Sequence, residues 1–151
     1  MITQAGDSKL AVWWRCMTAH SLVIQRVGRD LAAAGCVPIS SYNVLRLLRE
    51  ARGGRLQLSE LARAVQLTRS GVTRLTNRLE NAGLLHREEH ASDRRSSFAI
   101  LTDRGRGEWR RARAVFARSV TEHFGSHLSD GEAATLNVVL RRIVTAGSGG
   151  D

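Results

Sequence analysis

The spacing of apolar residues changes near Gly83, and this change limits the possible folds. Before it, "SELARAVQL" (59–67) and "TRSGVTRLTNRLENAG" (68–83) carry apolar residues at helical spacing. After it, "LLHREE" (84–89) and "SFAIL" (97–101) are short runs typical of strands. Two short helices followed directly by two strands predict a helix-turn-helix with a β-hairpin, whose loop contains "SDRRS" (92–96).

The remaining segments are predicted to be helical, and no repeat or interdomain linker interrupts them. Gly35 and Gly83 are predicted to end helices, and "SDGE" (129–132) is a capping box that opens the last one. Ser40, Ser59 and either Thr68 or Ser70 are the predicted N-caps. The predicted helices cover residues 9–34, 40–51, 59–67, 68–83, 103–124 and 129–143, with "RLQL" (55–58) as a short extended piece. The fold class is therefore mainly α with a two- to three-stranded β wing, a winged helix-turn-helix.

The second helix of the predicted helix-turn-helix has two different faces. Val72, Leu75 and Leu79 share one side, and the opposite side offers hydroxyls, amides and guanidiniums with no acid before Glu80. Such groups hydrogen-bond base edges and phosphates in a major groove, whereas an ordinary solvated face usually mixes both signs of charge. The predicted major-groove contacts are Arg69, Ser70, Gly71, Thr73, Arg74, Asn77 and Arg78.

The "SDRRS" loop predicts a second contact with DNA. A hairpin beside a major-groove helix projects toward the neighbouring minor groove, where arginine is the favoured side chain. Arg95 is the predicted minor-groove residue, Asp93 would orient its guanidinium, and Arg94 would contact a backbone phosphate. The alternative is a polar turn that happens to be basic.

Charge supports a nucleic-acid partner. The chain of 151 residues has 23 Lys and Arg against 14 Asp and Glu, a net charge of +9, and Lys9 is its only lysine. The guanidinium fork of arginine suits phosphates and guanine edges, although membrane-surface and ribosomal proteins can also be basic. The N-terminus predicts neither a signal peptide nor a membrane span, and two cysteines form no disulfide framework. We therefore expect a cytoplasmic protein.

The stretch "LSELARAVQLTRSGVTRLTNRLENAGLLHREEHASDRRSSFAILTDRGR" closely resembles the MarR family of bacterial transcription regulators. The resemblance includes the D-x-R of the wing (Asp93, Arg95) and the L-T-x-x-G at 101–105, and it extends to the flanking helices. It implies a single chain, 1–151, in which 9–35 and 103–146 are dimerisation helices and 40–101 is the winged DNA-binding region. It also implies a nucleoid-associated repressor that a small aromatic or anionic molecule releases from DNA.

The terminal helices favour a homodimer on their own terms. Leu10, Leu136 and Ile143 belong to apolar stripes near the two chain ends that a monomer of this size cannot readily bury. A two-fold dimer would require a pseudo-palindromic operator. Side chains that could line an effector pocket share ring or cationic character, although simple packing explains most of them equally well. These are Trp13, Trp14, Met17, His20, Tyr42 and Arg46.

Other functions have weaker support in the sequence. Redox sensing would use Cys16, but Tyr42 is the only tyrosine available to polarise a thiolate. Metal sensing would use "HREEH" (86–90) or "HFGSH" (123–127), each more typical of a plain polar surface. No motif of an enzyme, a metal centre or a cofactor site is present in the sequence. A general nucleic-acid-binding or architectural protein is the main alternative, and it would lack sequence preference.

Overall fold

The computed structural model describes residues 4–90 and 93–148, with side chains given except at 4–7, 89–96 and 148. Its elements in chain order are α1 (Gln4–Ala33), α2 (Ile39–Glu50), β1 (Arg55–Gln57), α3 (Leu58–Ala64), α4 (Arg69–Asn81), β2 (Leu85–His90), β3 (Asp93–Leu101), α5 (Asp103–His123) and α6 (Asp130–Ser148). Short 3-10 turns lie at Arg52–Gly54 and Gly125–His127. The predicted mainly helical chain with a small β wing is confirmed.

The three strands form one antiparallel sheet in the order β1-β3-β2. Leu56 of β1 is opposite Ala99 of β3, and Arg87 of β2 is opposite the same Ala99 from the other side. The short extended piece after α2 is therefore the third strand of the wing. Strand β3 begins at Asp93 rather than Ser97, so the hairpin loop is shorter than predicted.

The helix-turn-helix packs on the wing through one hydrophobic core. Because Val72, Leu75 and Leu79 recur every three or four residues, they form the buried face of α4, as predicted. They belong to a cluster to which α2, α3 and the sheet also contribute. Its buried members are Val44, Leu45, Leu48, Leu61, Val72, Leu75, Leu79, Leu84, Leu85, Ala99 and Leu101.

The junction between the wing and α5 explains the L-T-x-x-G sequence. The Thr102 hydroxyl donates to the Gly83 carbonyl oxygen at 2.7 Å and accepts from the Gly105 N–H at 3.0 Å, so it caps α5 and ties it to the end of α4. A Cβ at Gly105 would overlap the backbone oxygen of Leu84 and lie 2.7 Å from Cδ1 of Leu101. Only glycine allows α5 to begin this close to β2.

Two predicted N-caps are wrong. Ser40 lies inside α2, whose cap position is Pro38, because the fixed φ of proline (−58° here) already suits the first turn. Ser59 lies inside α3, whose cap position is Gln57, and the Gln57 backbone N–H donates to the Glu60 carboxylate at 3.0 Å. Helix α3 also ends at Ala64 rather than Leu67, since the chain adopts a left-handed conformation at Gln66 (φ 54°).

Other predicted boundaries are confirmed. Thr68 caps α4 by accepting from the Gly71 N–H at 3.1 Å. The Ser129 N–H donates to the Glu132 carboxylate at 2.9 Å, and the Glu132 N–H approaches the Ser129 hydroxyl at 3.4 Å, which is the predicted capping box. Gly35 and Gly83 follow α1 and α4 with φ of 62° and 71°.

The chain divides into two compact units, Val27–Phe116 and Met1–Arg26 with Ala117–Asp151. The first, the winged unit, contains the helix-turn-helix, the sheet and the core cluster. The second, the terminal-helix unit, contains the start of α1, the end of α5 and all of α6. Many large apolar side chains are exposed in the terminal-helix unit, and these include Leu10, Val12, Trp13, Trp14, Met17, Leu22, Phe124, Val138, Val139, Leu140 and Ile143.

Candidate nucleic-acid interface

The first turn of α4 is organised by its cap. Thr68 Oγ1 accepts from the Gly71 N–H and lies 3.1 Å from Ser70 Oγ. A Cβ at Gly71 would lie 3.2 Å from Thr68 Oγ1, so glycine relieves crowding at the cap in addition to exposing backbone. No acidic residue lies in this first turn, and the positive end of the helix dipole is therefore not offset locally.

The predicted DNA-reading face of α4 lies opposite its buried face. Arg69, Ser70, Arg74, Asn77 and Arg78 are exposed. Among the described residues, no carboxylate lies within ion-pair distance of Arg69, Arg74 or Arg78. Guanidiniums on such a face are available to phosphates and to guanine edges.

Two predicted contacts on this helix are less accessible. Gly71 and Thr73 are half-buried, and the Thr73 hydroxyl donates to the Arg69 carbonyl oxygen at 2.8 Å. The proton of that hydroxyl is used within the helix, and its oxygen is left as an acceptor. Thr73 therefore differs in chemistry from the exposed arginines beside it.

A groove of about 710 Å³ opens beside this face, where α3, the start of α4 and the wing strands meet. Three arginines and no acids line it, from α3 (Arg63), α4 (Arg69) and β2 (Arg87). Ser59, Thr73 and Ser97 add hydroxyls to its wall. A concave surface with three guanidiniums and several hydroxyls is suited to anionic groups such as phosphates.

Glu80 is the only acid on α4, and its carboxylate is bonded to the wing. Its Oε2 accepts from Arg87 Nε at 2.7 Å and lies 2.6 Å from Nη2, while its Oε1 accepts from the Arg87 backbone N–H at 3.0 Å. Burial alone would raise the pKa of Glu80, but the bonds and charge of Arg87, with a smaller contribution from His86, lower it below its usual value. The carboxylate therefore stays charged near neutral pH.

Sequence reasoning missed Arg63 and Arg87 as members of this surface. For Arg87 a signal was present, because strand alternation places it on the same face as buried Leu85. An arginine on such a face needs an acidic partner, and Glu80 lies seven residues earlier. Arg63 gave no comparable signal, since its position depends on how α3 meets the wing.

For the predicted wing contacts, the structure describes the backbone but not the side chains. The backbone of Asp93, Arg94 and Arg95 belongs to β3, but their side chains lie outside the described residues, as does Ser92 entirely. The pairing of Asp93 with Arg95 stays a prediction, and so does the insertion of Arg95 into a minor groove.

The predicted effector-pocket residues belong to both compact units. Tyr42 is buried and stacks on Phe116, with 4.7 Å between ring centroids. Burial raises the pKa of the Tyr42 phenol, against the opposing charges of Arg46 and Arg113. Arg46 forms an ion pair with Glu50 at 2.9 Å.

The other four pocket candidates, Trp13, Trp14, Met17 and His20, are exposed on α1. Their assignment to a pocket stays a prediction.

The cysteines and histidines that the sequence offered for redox or metal sensing form no shared cluster among the described residues. Cys16 is exposed and Cys36 is half-buried, both as free thiols. His86 Nε2 lies 3.3 Å from Glu88 Oε1 on β2, while the His90 side chain is outside the described residues. Within the described part of the chain, no three His, Cys, Asp or Glu side chains are grouped as metal ligands would be. No helix in that part is long and apolar enough to span a bilayer.

An exposed cationic helix seated on a second helix, with an antiparallel wing beside it, defines a winged helix-turn-helix protein. Residues 37–97 match the model of the MarR family. The regulator PrsX of Escherichia coli is 33% identical over 90 residues, 60% of this chain and 54% of PrsX. The chain thus spans about half the length of that relative.

A second relative covers more of both chains. The protein assigned as transcriptional regulator for the hcr operon of Thauera aromatica is 31% identical over 119 residues, 79% of this chain and 70% of its own. Among solved structures, the MarR family transcriptional regulator Sco3205 of Streptomyces coelicolor, in complex with DNA, aligns with a TM-score of 0.82 at 29% identity over 97% of this chain and 90% of its own. The chain belongs to the MarR family. The relatives named here are transcriptional regulators rather than enzymes, in agreement with the absence of enzyme motifs from the sequence.

Proposed function

We propose that this protein is a transcriptional regulator that binds specific double-stranded DNA through α4. The observation that carries the proposal is the outward face of α4, with exposed Arg69, Arg74 and Arg78 opposite buried Val72 and Leu79. That face combines phosphate-binding charge with groups able to read base edges. Sco3205, which shares this fold, is known in complex with DNA, and this supports DNA as the partner.

The DNA-bound form is a homodimer on a pseudo-palindromic operator. Apolar side chains on α1 and α6 are exposed in the single chain, including Trp14 at 61% and Ile143 at 62%. Exposed apolar surface of this extent is typical of a protein interface, and a two-fold axis makes one such face complementary to its copy. Two recognition helices would then lie about 34 Å apart, one DNA turn. Residues 9–35 and 103–146 are the proposed dimerisation helices around the winged region, 40–101.

The regulator acts as a repressor in the bacterial cytoplasm, at the nucleoid, and a small aromatic or anionic effector releases it. Family membership supports this part of the proposal. The two predicted pocket residues in the winged unit, Tyr42 and Arg46, offer a buried ring and a cation. A ring and a cation together suit an aromatic carboxylate.

The test is selection of bound sequences from random duplex DNA by the purified protein, with and without a panel of phenolic acids. A two-fold-symmetric consensus is expected, and a compound that lowers enrichment would identify the effector class. Enrichment without a consensus would contradict the proposal and favour a general nucleic-acid-binding protein.

Variants separate base reading from charge. Arg74→Ala is expected to cost about 1–3 kcal/mol of operator binding and to relax base preference at one position of each half-site. Arg141→Ala, which removes an exposed arginine of α6, is the matched control and should leave that preference unchanged. Equal enrichment profiles for Arg74→Ala and the parent would show that α4 does not read the site as proposed.

A further inference from the structure

The bond between Glu80 and Arg87 is unexpected on a surface proposed to face DNA. Three contacts of 2.6 to 3.0 Å join this one carboxylate to one residue of β2. The side chains are only 31% and 34% exposed, so both are partly fixed by packing. A carboxylate repels the phosphates of DNA, so an acid on α4 is unfavourable for DNA binding unless it has a compensating role.

The contacts orient the guanidinium in a defined way. Glu80 bonds to Nε and Nη2, which form one edge of the Arg87 fork. A guanidinium has five N–H donors, so donors on Nη1 point away from the edge that the carboxylate occupies. Arg87 also lines the groove that Arg63 and Arg69 share. The Nε–Nη2 edge of the Arg87 guanidinium is therefore held by Glu80 of α4. The same side chain borders the groove suited to phosphate.

The connection also joins two elements that would meet DNA at different places. Glu80 lies near the end of α4, and the Arg87 backbone N–H that it accepts from belongs to β2. A bond to backbone holds the strand itself, and the guanidinium bonds hold the side chain. The same carboxylate therefore sets both the position of the wing strand and the direction of the Arg87 guanidinium.

We propose that Arg87 binds a backbone phosphate of the operator and that Glu80 is a positioning residue that holds its guanidinium for that contact. The proposal rests on the DNA-binding function proposed above and adds two residues to its surface. Arginine loses rotamer freedom when it binds, and a side chain already held along one edge loses less. The repulsion between Glu80 and DNA is then outweighed by the ordered contact of Arg87.

The sign of the Glu80 effect makes this testable. If Glu80 were an ordinary surface acid, Glu80→Gln would remove a negative charge near DNA and tighten binding. If it positions Arg87, Glu80→Gln weakens binding several-fold, because a neutral amide holds the guanidinium less strongly than a carboxylate. Glu88→Gln is the matched control: it removes an exposed acid of the same strand whose described partner is His86, and it should not weaken binding.

The experiment measures the dissociation constant of the full chain for the selected operator at several salt concentrations. Arg87→Ala should weaken binding about tenfold and reduce the slope of log affinity against log salt by about 0.9, the value for one phosphate. Arg87→Lys keeps the charge but not the fork and should fall between Arg87→Ala and the parent. The double variant Glu80→Gln/Arg87→Ala should bind no more weakly than Arg87→Ala alone, since Glu80 then has nothing to position and its repulsion of DNA is removed.

Distinct results would overturn the inference. An unchanged salt slope for Arg87→Ala, tighter binding by Glu80→Gln, or additive losses in the double variant would each contradict it. Thermal unfolding of each variant shows whether a loss of binding is a loss of fold, and the Arg87→Lys and double variants remain decisive if one single variant unfolds. If the parent selects no consensus at all, the proposed function fails. A parent that binds specifically while Arg87→Ala binds equally well leaves that function intact and removes only this inference.

Discussion

The winged unit and the terminal-helix unit bury their apolar residues to very different extents. In the winged unit, Leu45, Leu48 and Leu61 are fully buried, and Leu67 is its one large apolar side chain that is exposed among the described residues. In the terminal-helix unit, side chains such as Trp13 and Ile143 are mostly exposed. The first unit has a complete core within one chain, and the second exposes the apolar surface that the proposed dimer would bury. Stability of the winged unit should thus be independent of protein concentration, whereas that of the terminal helices should not.

The largest effect is expected from Gly105→Ala, at the junction of the wing and α5. Its Cβ would overlap the backbone oxygen of Leu84, which no side-chain rotation can relieve. We expect a loss of about 4 kcal/mol or more in the free energy of unfolding, measured by chemical denaturation. Gly107→Ala is the matched control on the same helix, with no atom within 4 Å of the new Cβ, and it should gain about 0.5–1 kcal/mol. Equal effects of the two substitutions would mean that α5 does not begin against β2 as described.

A pair of truncations sharpens the comparison between the units. Leu45→Ala removes a fully buried side chain and should cost about 3 kcal/mol at any protein concentration. Ile143→Ala removes an exposed one and should lower the denaturation midpoint only where the dimer is populated. Denaturation over a hundredfold range of concentration, with light scattering for the molecular mass, separates the two. A concentration-independent loss for Ile143→Ala would place its partners within its own chain.

Much of the fold could be predicted because local signals agree with tertiary structure. The buried face of α4, the stops at Gly35 and Gly83 and the caps at Thr68 and Ser129 all follow from spacing and residue type. The wrong caps at Ser40 and Ser59 share a cause: a competing cap two residues earlier, Pro38 or Gln57, already starts each helix. Local preference does not show which of two adjacent signals the chain uses.

The candidate site was predictable only where it belongs to a single element. The exposed residues of α4 follow from one helical wheel, and they are placed where the sequence indicated. The groove with Arg63 and Arg87 depends on how α3, α4 and β2 meet, which involves residues distant in the chain. Gly105 is similar, since its close approach to Leu84 appears only when β2 and α5 are placed together.

The smallest effect concerns the capping box of α6, which tests whether the terminal helices also have stability of their own. Hydrogen bonds from the Ser129 backbone and hydroxyl lower the pKa of Glu132 below its ordinary value of 4.5. A carboxyl whose pKa is lower in the folded chain stabilises it above the unfolded pKa, and this contribution is lost as pH falls through the folded value. The parent should therefore melt at a slightly higher temperature than Glu132→Gln at pH 7, and the difference should vanish well below pH 4.5. A difference that persists in acid would mean that Glu132 contributes through packing rather than charge. Because the carboxyl is exposed, the effect should also be the same in dilute and concentrated protein, unlike that of Ile143→Ala.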